Sequence, residues 1–363
     1  MSLKIVPLQN KHLEDAAALV TTGYRALREQ VTSLPSRYED VGSILPLLRD
    51  LAGQAPGVVA MRDGRLVGFL LGMVLPDFRG KRSVYSPEWA NAVEGEDGGE
   101  TYREMYAHLS ARWVADGCFL HVITLLAHDR QAIDAWYWLG FGLTTVDAIR
   151  DLTPVQETGT DVVIRRAGLE DIEQAMALSQ ALEQHLAAAP IFVIEEHASL
   201  ILSNIGGDEG GKQWLANSAN ALWLAYRDGE VVAGMGLEPP NPEACYIIRD
   251  EKTTSITSAF TRESERNKGI ATALLNHSLD WARSVGYDRC AVDFESQNIS
   301  ATRFWLRHFQ PVCYSLIRYV DERVAWAHGK REDKELTNFP SPPPSPQRGE
   351  GASPLSLAGR GLG

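Results

Sequence analysis

The residues best suited to bind an anionic ligand lie between positions 260 and 285. Here Arg266, Gly269 and Ala271 have the spacing R-x-x-G-x-A, in a charged turn that follows a strand-like run and leads into a helix. The first turn of a helix leaves main-chain N–H groups without partners, beside the positive end of the helix dipole. Such a turn suits a phosphate or pyrophosphate. Arg266 and Lys268 add positive charge, and the small residues let a ligand approach the backbone.

The elements around this turn are predicted from hydrophobic periodicity and capping residues. The helix runs from about Gly269 to Val285, and Gly286 is the residue expected to end it. Asn298 is a natural N-cap for a second helix. The predicted strands of this region are Ile256–Thr261, Arg289–Glu295 and Val312–Val320.

This order of elements resembles the GNAT superfamily of acyl-CoA N-acetyltransferases, over about residues 162–325. In that family an R/Q-x-x-G-x-G/A turn grips the pyrophosphate of coenzyme A. A later N-x-x-A-x-x-F-Y stretch corresponds here to Asn298, Ala301, Phe304 and Trp305. The resemblance implies a mostly antiparallel mixed sheet flanked by helices. Two neighbouring parallel strands, here Ile256–Thr261 and Arg289–Glu295, are expected to splay apart and admit the acyl-pantetheine arm.

The resemblance also implies a reaction and a set of contacts. An amine attacks the thioester of acetyl-CoA directly, a tetrahedral oxyanion forms, and the thiolate leaves. Helix capping alone is the alternative explanation for Asn298. The predicted coenzyme-binding residues are Phe260, Thr261, Arg266, Asn267, Lys268, Gly269, Ile270, Ala271, Thr272, Asn298 and Trp305.

Three carboxylates are hypotheses for the general base. Asp293 and Glu295 share one face of a strand, because side chains alternate along it. Glu295 is preferred because it lies near the strand end where the gap opens, and Glu263 lies just beyond the other strand. For each of them the alternative is a solvated or salt-bridged carboxylate.

Trp305 departs from the family pattern, because many members carry a tyrosine there whose hydroxyl protonates the departing thiolate. Indole cannot act as a useful proton donor. The thiolate then leaves with hydrogen-bond stabilisation alone, or Tyr314 or Tyr319 reaches it, or the site binds acyl-CoA without turnover. The first alternative is favoured because thiols have a pKa near 8.5.

The chain resembles itself at a fixed spacing. Gly117 and Gly286, Ala132 and Ala301, and Trp136 and Trp305 each lie 169 positions apart. Both halves contain an Arg-Asp-Gly hairpin signal, at 62–64 and 227–229. These repeats predict two tandem domains of the same mixed α/β fold, over 1–150 and 161–330, joined by a linker at 151–160. A Pro/Ser/Gly-rich tail over 336–363 is predicted to be disordered.

The first copy is predicted not to bind coenzyme A. At the same spacing Arg266 corresponds to Asp97, Gly269 to Glu100 and Ala271 to Tyr102. Acidic groups facing a pyrophosphate cost on the order of 1 to several kcal/mol. The basic run at 79–82 follows a strand and precedes another, so it is interpreted as a charged hairpin turn.

Composition excludes several classes of function. The net charge of −12 argues against nucleic-acid binding. Cys118, Cys245, Cys290 and Cys313 have no metal-ligand spacing, so no metal is predicted and the thiols indicate a reducing compartment. The N-terminus has no apolar signal core, and the longest apolar run, Leu66–Leu75, is interpreted as one buried strand. A cytoplasmic protein without membrane contact follows.

The leading hypothesis is an N-acetyltransferase that uses acetyl-CoA and a primary amine of a small molecule or peptide. One alternative is an acyl-CoA-binding sensor or scaffold that lost the chemistry. Another is a structural protein of two domains with no ligand. The acceptor and the oligomeric state are not determined by the sequence.

Overall fold

The computed structural model describes residues 3–156, 159–194, 208–240 and 244–325, so the predicted tail lies outside the described residues. The first half, residues 3–156, contains strands β1 (Lys4–Pro7), β2 (Gly57–Arg62), β3 (Arg65–Leu71), β4 (Met73–Phe78), β5 (Lys81–Ser86), β6 (Asn91–Val93), β7 (Leu120–Leu126) and β8 (Gly142–Asp151). Its helices are α1 (Leu13–Gln30), α2 (Val41–Ala52), α3 (Gly98–Ala115) and α4 (Arg130–Trp138). No helix among the described residues is both long and apolar enough to cross a membrane.

The second half, residues 159–325 where described, repeats this alternation of strands and helices. Its strands are β9 (Val163–Arg166), β10 (Ala221–Arg227), β11 (Glu230–Glu238), β12 (Thr253–Thr261), β13 (Arg289–Glu295) and β14 (Gln310–Tyr319). Its helices are α5 (Ile172–Ala187), α6 (Asp208–Ala216), α7 (Ile270–Ser284) and α8 (Ile299–His308).

The strands form one antiparallel sheet and one mixed sheet, in keeping with the mostly antiparallel, mixed α/β fold predicted from the sequence. A four-stranded sheet has the order β1-β2-β3-β6, and a ten-stranded sheet has the order β4-β5-β7-β14-β8-β13-β12-β11-β10-β9. In the large sheet β5–β7 and β12–β13 are parallel pairs, and the other neighbours are antiparallel. The fold class is therefore confirmed, including the parallel strand pair near the predicted site.

The two halves exchange their last strands. β8, the last strand of the first half, pairs with β13 of the second half. β14, the last strand of the second half, pairs with β7 of the first half, and β8 and β14 pair with each other. The large sheet is therefore continuous across the linker region, so each half completes the other's sheet.

The internal spacing found in the sequence recurs in the elements. β7 and β13 begin and end 169 positions apart, and the first residues of α4 and α8 have the same separation. Both Asp-Gly hairpins have two left-handed residues, with φ of 54° and 82° at Asp63 and Gly64, and of 51° and 84° at Asp228 and Gly229. Two such residues make the turn that matches strand twist.

The apolar run Leu66–Leu75 is two strands rather than the single strand expected. β3 belongs to the small sheet and β4 to the large one, and Gly72 lies between them. A Cβ at Gly72 would come within 2.9 Å of both Trp113 and Val84. The chain therefore changes sheets where it passes too close to α3 and β5 for a side chain.

Helices cover both faces of the large sheet, and their packing shows on which face each side chain of β13 lies. Val292 and Phe294 pack in a core with α7 and α8. Because side chains alternate along a strand, Asp293 and Glu295 point to the opposite face. Ala291 on that face packs in the core formed by α1 and α2 of the first half.

Candidate coenzyme and acyl-transfer site

The parallel strands β12 and β13 separate partway along their length. Their pairing begins at Thr253 and Arg289 and ends at Ile256 and Val292. Beyond that point β12 pairs only with β11, and β13 only with β8. Thr257 is an extra residue in the β11–β12 register, and such a bulge bends the strand that carries it. The result is a gap between the two strands, and the main-chain groups along its two edges form no hydrogen bonds with any described strand.

The turn after β12 presents main-chain donors beside this gap. Asn267 and Gly269 are both left-handed, with φ of 62° and 78°. Successive N–H groups in such a turn form a concave anion-binding surface. Among the described residues no acceptor lies within hydrogen-bonding distance of the N–H groups of 267–272. The chain therefore brings six free donors together where α7 begins.

The charges of the turn are arranged asymmetrically. Lys268 pairs with Glu265 at 3.2 Å, and Arg227 holds the same carboxylate at 3.0 Å. Arg266 donates from Nε to the carbonyl of Thr261 at 3.2 Å, and its guanidinium lies 5.7 Å from the ring centroid of Phe260. The Glu265 carboxylate is thus neutralised by two cations, and Arg266 forms no ion pair with it.

His185, which the sequence interpretation missed, lies at the mouth of the gap. Its ring centroid is 5.9 Å from that of Phe260. Burial and the nearby Arg266 guanidinium lower the pKa of His185, against opposing effects of Asn298 and Glu263. The imidazole is therefore neutral at pH 7 and can accept a proton.

Asn298 takes the position predicted for it. Its side-chain oxygen accepts a hydrogen bond from Ala301 N at 3.2 Å and caps α8. The same side chain lies close enough to His185 to act on the pKa of that imidazole. Asn298 therefore has a structural role that does not depend on a coenzyme, and it also borders the site.

Glu295, the base preferred from the sequence, forms an ion pair and a hydrogen bond with residues of the first half of the chain. Its two carboxylate oxygens accept hydrogen bonds from Arg79 Nη2 at 3.0 Å and from Thr144 Oγ1 at 3.2 Å. Burial raises the pKa of Glu295, and the Arg79 guanidinium acts in the opposite direction. The basic hairpin turn at 79–82 between β4 and β5 thus reaches across to the second half, so Glu295 contributes to the contact between halves.

The other two carboxylates lie apart from each other. Asp293 faces Asp147 of the first half, and burial together with Asp293 raises the pKa of Asp147 to about 8. Glu263 is exposed, in a short 3-10 segment next to the turn, and close enough to His185 for its charge to act on the pKa of that imidazole. Of the three, Glu263 is the one with open access to the mouth.

Trp305 is a core side chain, 5% exposed, packed edge-on against Phe304 and Phe309. The two tyrosines considered as proton donors are on β14, which β8 separates from β13. Tyr319 is also 60% exposed. Neither tyrosine borders the gap between β12 and β13.

In the first half the corresponding gap is filled. After β5 the chain leaves the large sheet, and the side chain of Asn91 donates to the carbonyl of Thr124 on β7 at 3.1 Å. Tyr102, at the place of Ala271, donates to Asn91 Oδ1 at 3.1 Å. Asp97 pairs with Arg62 at 3.5 Å, so the start of α3 carries an acid where α7 has Arg266.

Two hollows of the first half lie near the start of α3. One, of about 320 Å³, is lined by residues that include Gly98, Tyr102, His128 and Asp129. The other, of about 530 Å³, includes Asp97, Glu100 and Glu104. The three acids of the second hollow make it a poor site for a diphosphate, and the first hollow carries Asp129 and Arg130 side by side rather than a surplus of cations.

Residues 191–309 match the model of the acetyltransferase (GNAT) family. This stretch contains the gap, the turn and helices α7 and α8, so the second half carries a domain of that family. Acyl transfer from an acyl-CoA is the class of reaction that this membership indicates. The first half lies outside the match.

No curated protein matches the chain. Among solved structures, a GCN5-related N-acetyltransferase from Sphaerobacter thermophilus is 14% identical, covering 87% of this chain and 95% of its own, with a TM-score of 0.48. A tandem GNAT protein from the clavulanic acid biosynthesis pathway is 13% identical, covering 88% and 98%, with a TM-score of 0.42. Likenesses of this size carry no inference about the substrate.

Proposed function

We propose that the protein is an N-acetyltransferase that moves an acetyl group from acetyl-CoA to a primary amine by direct attack. The observation that carries this proposal is the set of six unpartnered N–H groups of residues 267–272 at the start of α7, beside the gap between β12 and β13. The pyrophosphate of the coenzyme binds these donors and Arg266. The acceptor is a small molecule or a peptide.

The pantetheine arm enters the gap and pairs with its edges. Phe260 and Thr261 belong to the part of β12 that pairs only with β11, so their outer main-chain groups are available. An extended arm can use them as a neighbouring strand would. This places the thioester toward the end of the pairing at Ile256 and Val292.

The proton of the amine leaves to His185 or, through water, to Glu263. His185 is neutral and lies beside Phe260, and Glu263 has open access to the same mouth. Glu295 and Asp293 remain hypotheses for this role, although Glu295 is already held by Arg79 and Thr144. Deprotonation is necessary because a primary ammonium has a pKa near 10.4 in water.

The thiolate leaves without a tyrosine acid. Trp305 is packed between two phenylalanines, and the tyrosines of β14 are two strands away from β13. A thiol with a pKa near 8.5 is a tolerable leaving group when main-chain N–H groups stabilise it.

The first half acts as a degenerate copy that supports the second. Asn91 and Tyr102 fill its gap, Asp97 replaces the key arginine, and β8 completes the sheet next to β13. We therefore expect one coenzyme per chain and a tandem organisation in which the first half shapes the acceptor side of the cleft.

Binding and turnover are tested separately. Coenzyme A at 100 times its dissociation constant is expected to stabilise the protein by about 2.7 kcal/mol, seen as a rise in melting temperature. Release of free thiol from acetyl-CoA with a panel of primary amines measures turnover. Stabilisation without thiol release for any amine would favour the acyl-CoA sensor, and no stabilisation would contradict both functions.

A further inference from the structure

A compact cluster of metal-ligating side chains lies away from the acyl-transfer gap. A carboxylate oxygen of Glu88 and the Sγ atoms of Cys245 and Cys313 all lie within 4.8 Å of one another. All three residues are buried, at 2%, 3% and 0% exposure. The cysteines are 68 positions apart in sequence, so their linear spacing gives no sign of this convergence.

One oxygen of this cluster has no partner. Glu88 Oε1 accepts a hydrogen bond from Ile247 N at 2.9 Å, whereas Oε2 is buried and has no hydrogen-bond partner among the described residues. Burying a polar oxygen without a partner costs roughly 1–3 kcal/mol, and more if it is charged. A cation bound beside it removes that cost.

A further carboxylate, outside the three clustered ligand atoms, adjoins two of these residues. Asp147 on β8 is the cross-strand partner of Cys313 on β14, and its Oδ1 accepts from Cys245 N at 2.9 Å. Glu88 and Asp147 come from the first half, and the two cysteines come from the second. The cluster therefore lies where the two exchanged strands, β8 and β14, pair with each other.

We propose that Glu88, Asp147, Cys245 and Cys313 bind one zinc ion that joins the two halves of the chain. Zinc in structural sites takes four ligands, and cysteine thiolates and carboxylate oxygens are both among the groups that bind zinc in proteins. Typical Zn–S and Zn–O bonds of about 2.3 and 2.1 Å separate tetrahedral ligands by about 3.3–3.8 Å. Shifts of about 1 Å bring the ligand atoms of Glu88, Cys245 and Cys313 from within 4.8 Å to that separation, and a rotation of the Asp147 side chain toward them supplies the fourth ligand.

Binding involves no redox change. Each thiol loses its proton to solvent and becomes a thiolate ligand, and the carboxylates bind as anions. Glu88, Cys245 and Cys313 lie outside the turn and the gap, whereas Asp147 is the cross-strand partner of Asp293 on β13.

Zinc content tests the proposal directly. The full chain, purified under reducing conditions after incubation with Zn²⁺, is expected to retain about one zinc per chain by elemental mass spectrometry. The double variant Cys245→Ser/Cys313→Ser is expected to retain none. The matched control Cys118→Ser/Cys290→Ser changes the other two buried thiols and is expected to retain zinc as the unchanged protein does.

A more conservative variant keeps the proposal testable if Cys245→Ser/Cys313→Ser does not fold. Glu88→Gln keeps the oxygen that accepts from Ile247 N but removes the charge. Glu88→Gln is expected to retain less zinc than the unchanged protein. A chelator is expected to lower the melting temperature of the unchanged protein but not that of Glu88→Gln. In the unchanged protein, Co²⁺ in place of zinc is expected to give a thiolate charge-transfer band that Cys118→Ser/Cys290→Ser preserves. An unchanged protein that retains no zinc, equal zinc in the two cysteine pairs, or a Cys245–Cys313 disulfide would overturn the proposal.

Discussion

Arg266→Ala removes the charge on which the proposed coenzyme site depends most. Its guanidinium uses Nε for the carbonyl of Thr261, and its terminal amino groups are available for phosphate oxygens. A hydrogen bond between charged groups contributes about 1.5–3 kcal/mol. The dissociation constant for coenzyme A is therefore expected to rise about 10- to 150-fold.

Lys268→Ala is expected to have a smaller effect. Lys268 is about half exposed and already paired with Glu265, so solvent and that carboxylate screen its charge. Exposed pairs contribute about 0.2–1 kcal/mol, which corresponds to at most about a 5-fold loss. Reversing both charges, with Arg266→Glu/Lys268→Glu, is expected to abolish binding.

Isothermal titration calorimetry with coenzyme A measures these losses, and melting temperatures check that each variant is folded. The control is Asp97→Asn/Glu100→Gln, which neutralises the corresponding turn of the first half. That control is expected to leave the dissociation constant unchanged. If Lys268→Ala costs as much as Arg266→Ala, or if the control weakens binding equally, the assignment of one anion site in the second half is wrong.

Three further variants separate catalysis from packing. His185→Gln is expected to lower kcat and to remove the fall of kcat/KM that the unchanged protein shows below pH 6.5. This fall is expected because the pKa of His185 is lowered, so that its basic form is lost only in acid. An unchanged pH profile would assign the role of base to Glu263. Glu295→Gln is expected to destabilise the protein by about 1–2 kcal/mol in denaturant unfolding through loss of the contact with Arg79, with kcat largely retained; a collapse of kcat without loss of stability would make Glu295 the base. Trp305→Tyr is expected to cost about 1–3 kcal/mol of stability, because it leaves space and an unpartnered hydroxyl in the core, with turnover preserved; a large loss of kcat in folded protein would show that the indole contributes to the reaction.

The local elements of the site could be predicted because their signals are local. The strand Arg289–Glu295, the cap at Asn298 and the left-handed Gly286 each depend on residues within a few positions. Asp-Gly fixed both hairpins for the same reason. The parallel pair that splays came from the family resemblance, and the bulge at Thr257 accounts for it physically.

The remaining features depend on contacts distant in sequence. The alternation of apolar and polar residues along β8 and β14 is the same whether each strand pairs within its own half or with the other half. No local pattern therefore indicates that the strands are exchanged. His185 reaches the gap only because the packing of α5 turns its last residues toward Phe260. Cys245 and Cys313 converge for a similar reason, since the exchanged strand β14 brings one of them to the loop that carries the other.

Hydrogen–deuterium exchange of the main-chain amides, with and without coenzyme A, tests the central claim most directly. The N–H groups of residues 267–272 have no acceptor in the free protein and are expected to exchange rapidly. Coenzyme A is expected to slow their exchange and to leave the amides of residues 97–102 unchanged. Protection at 97–102, or none at 267–272 under saturating coenzyme, would contradict the account.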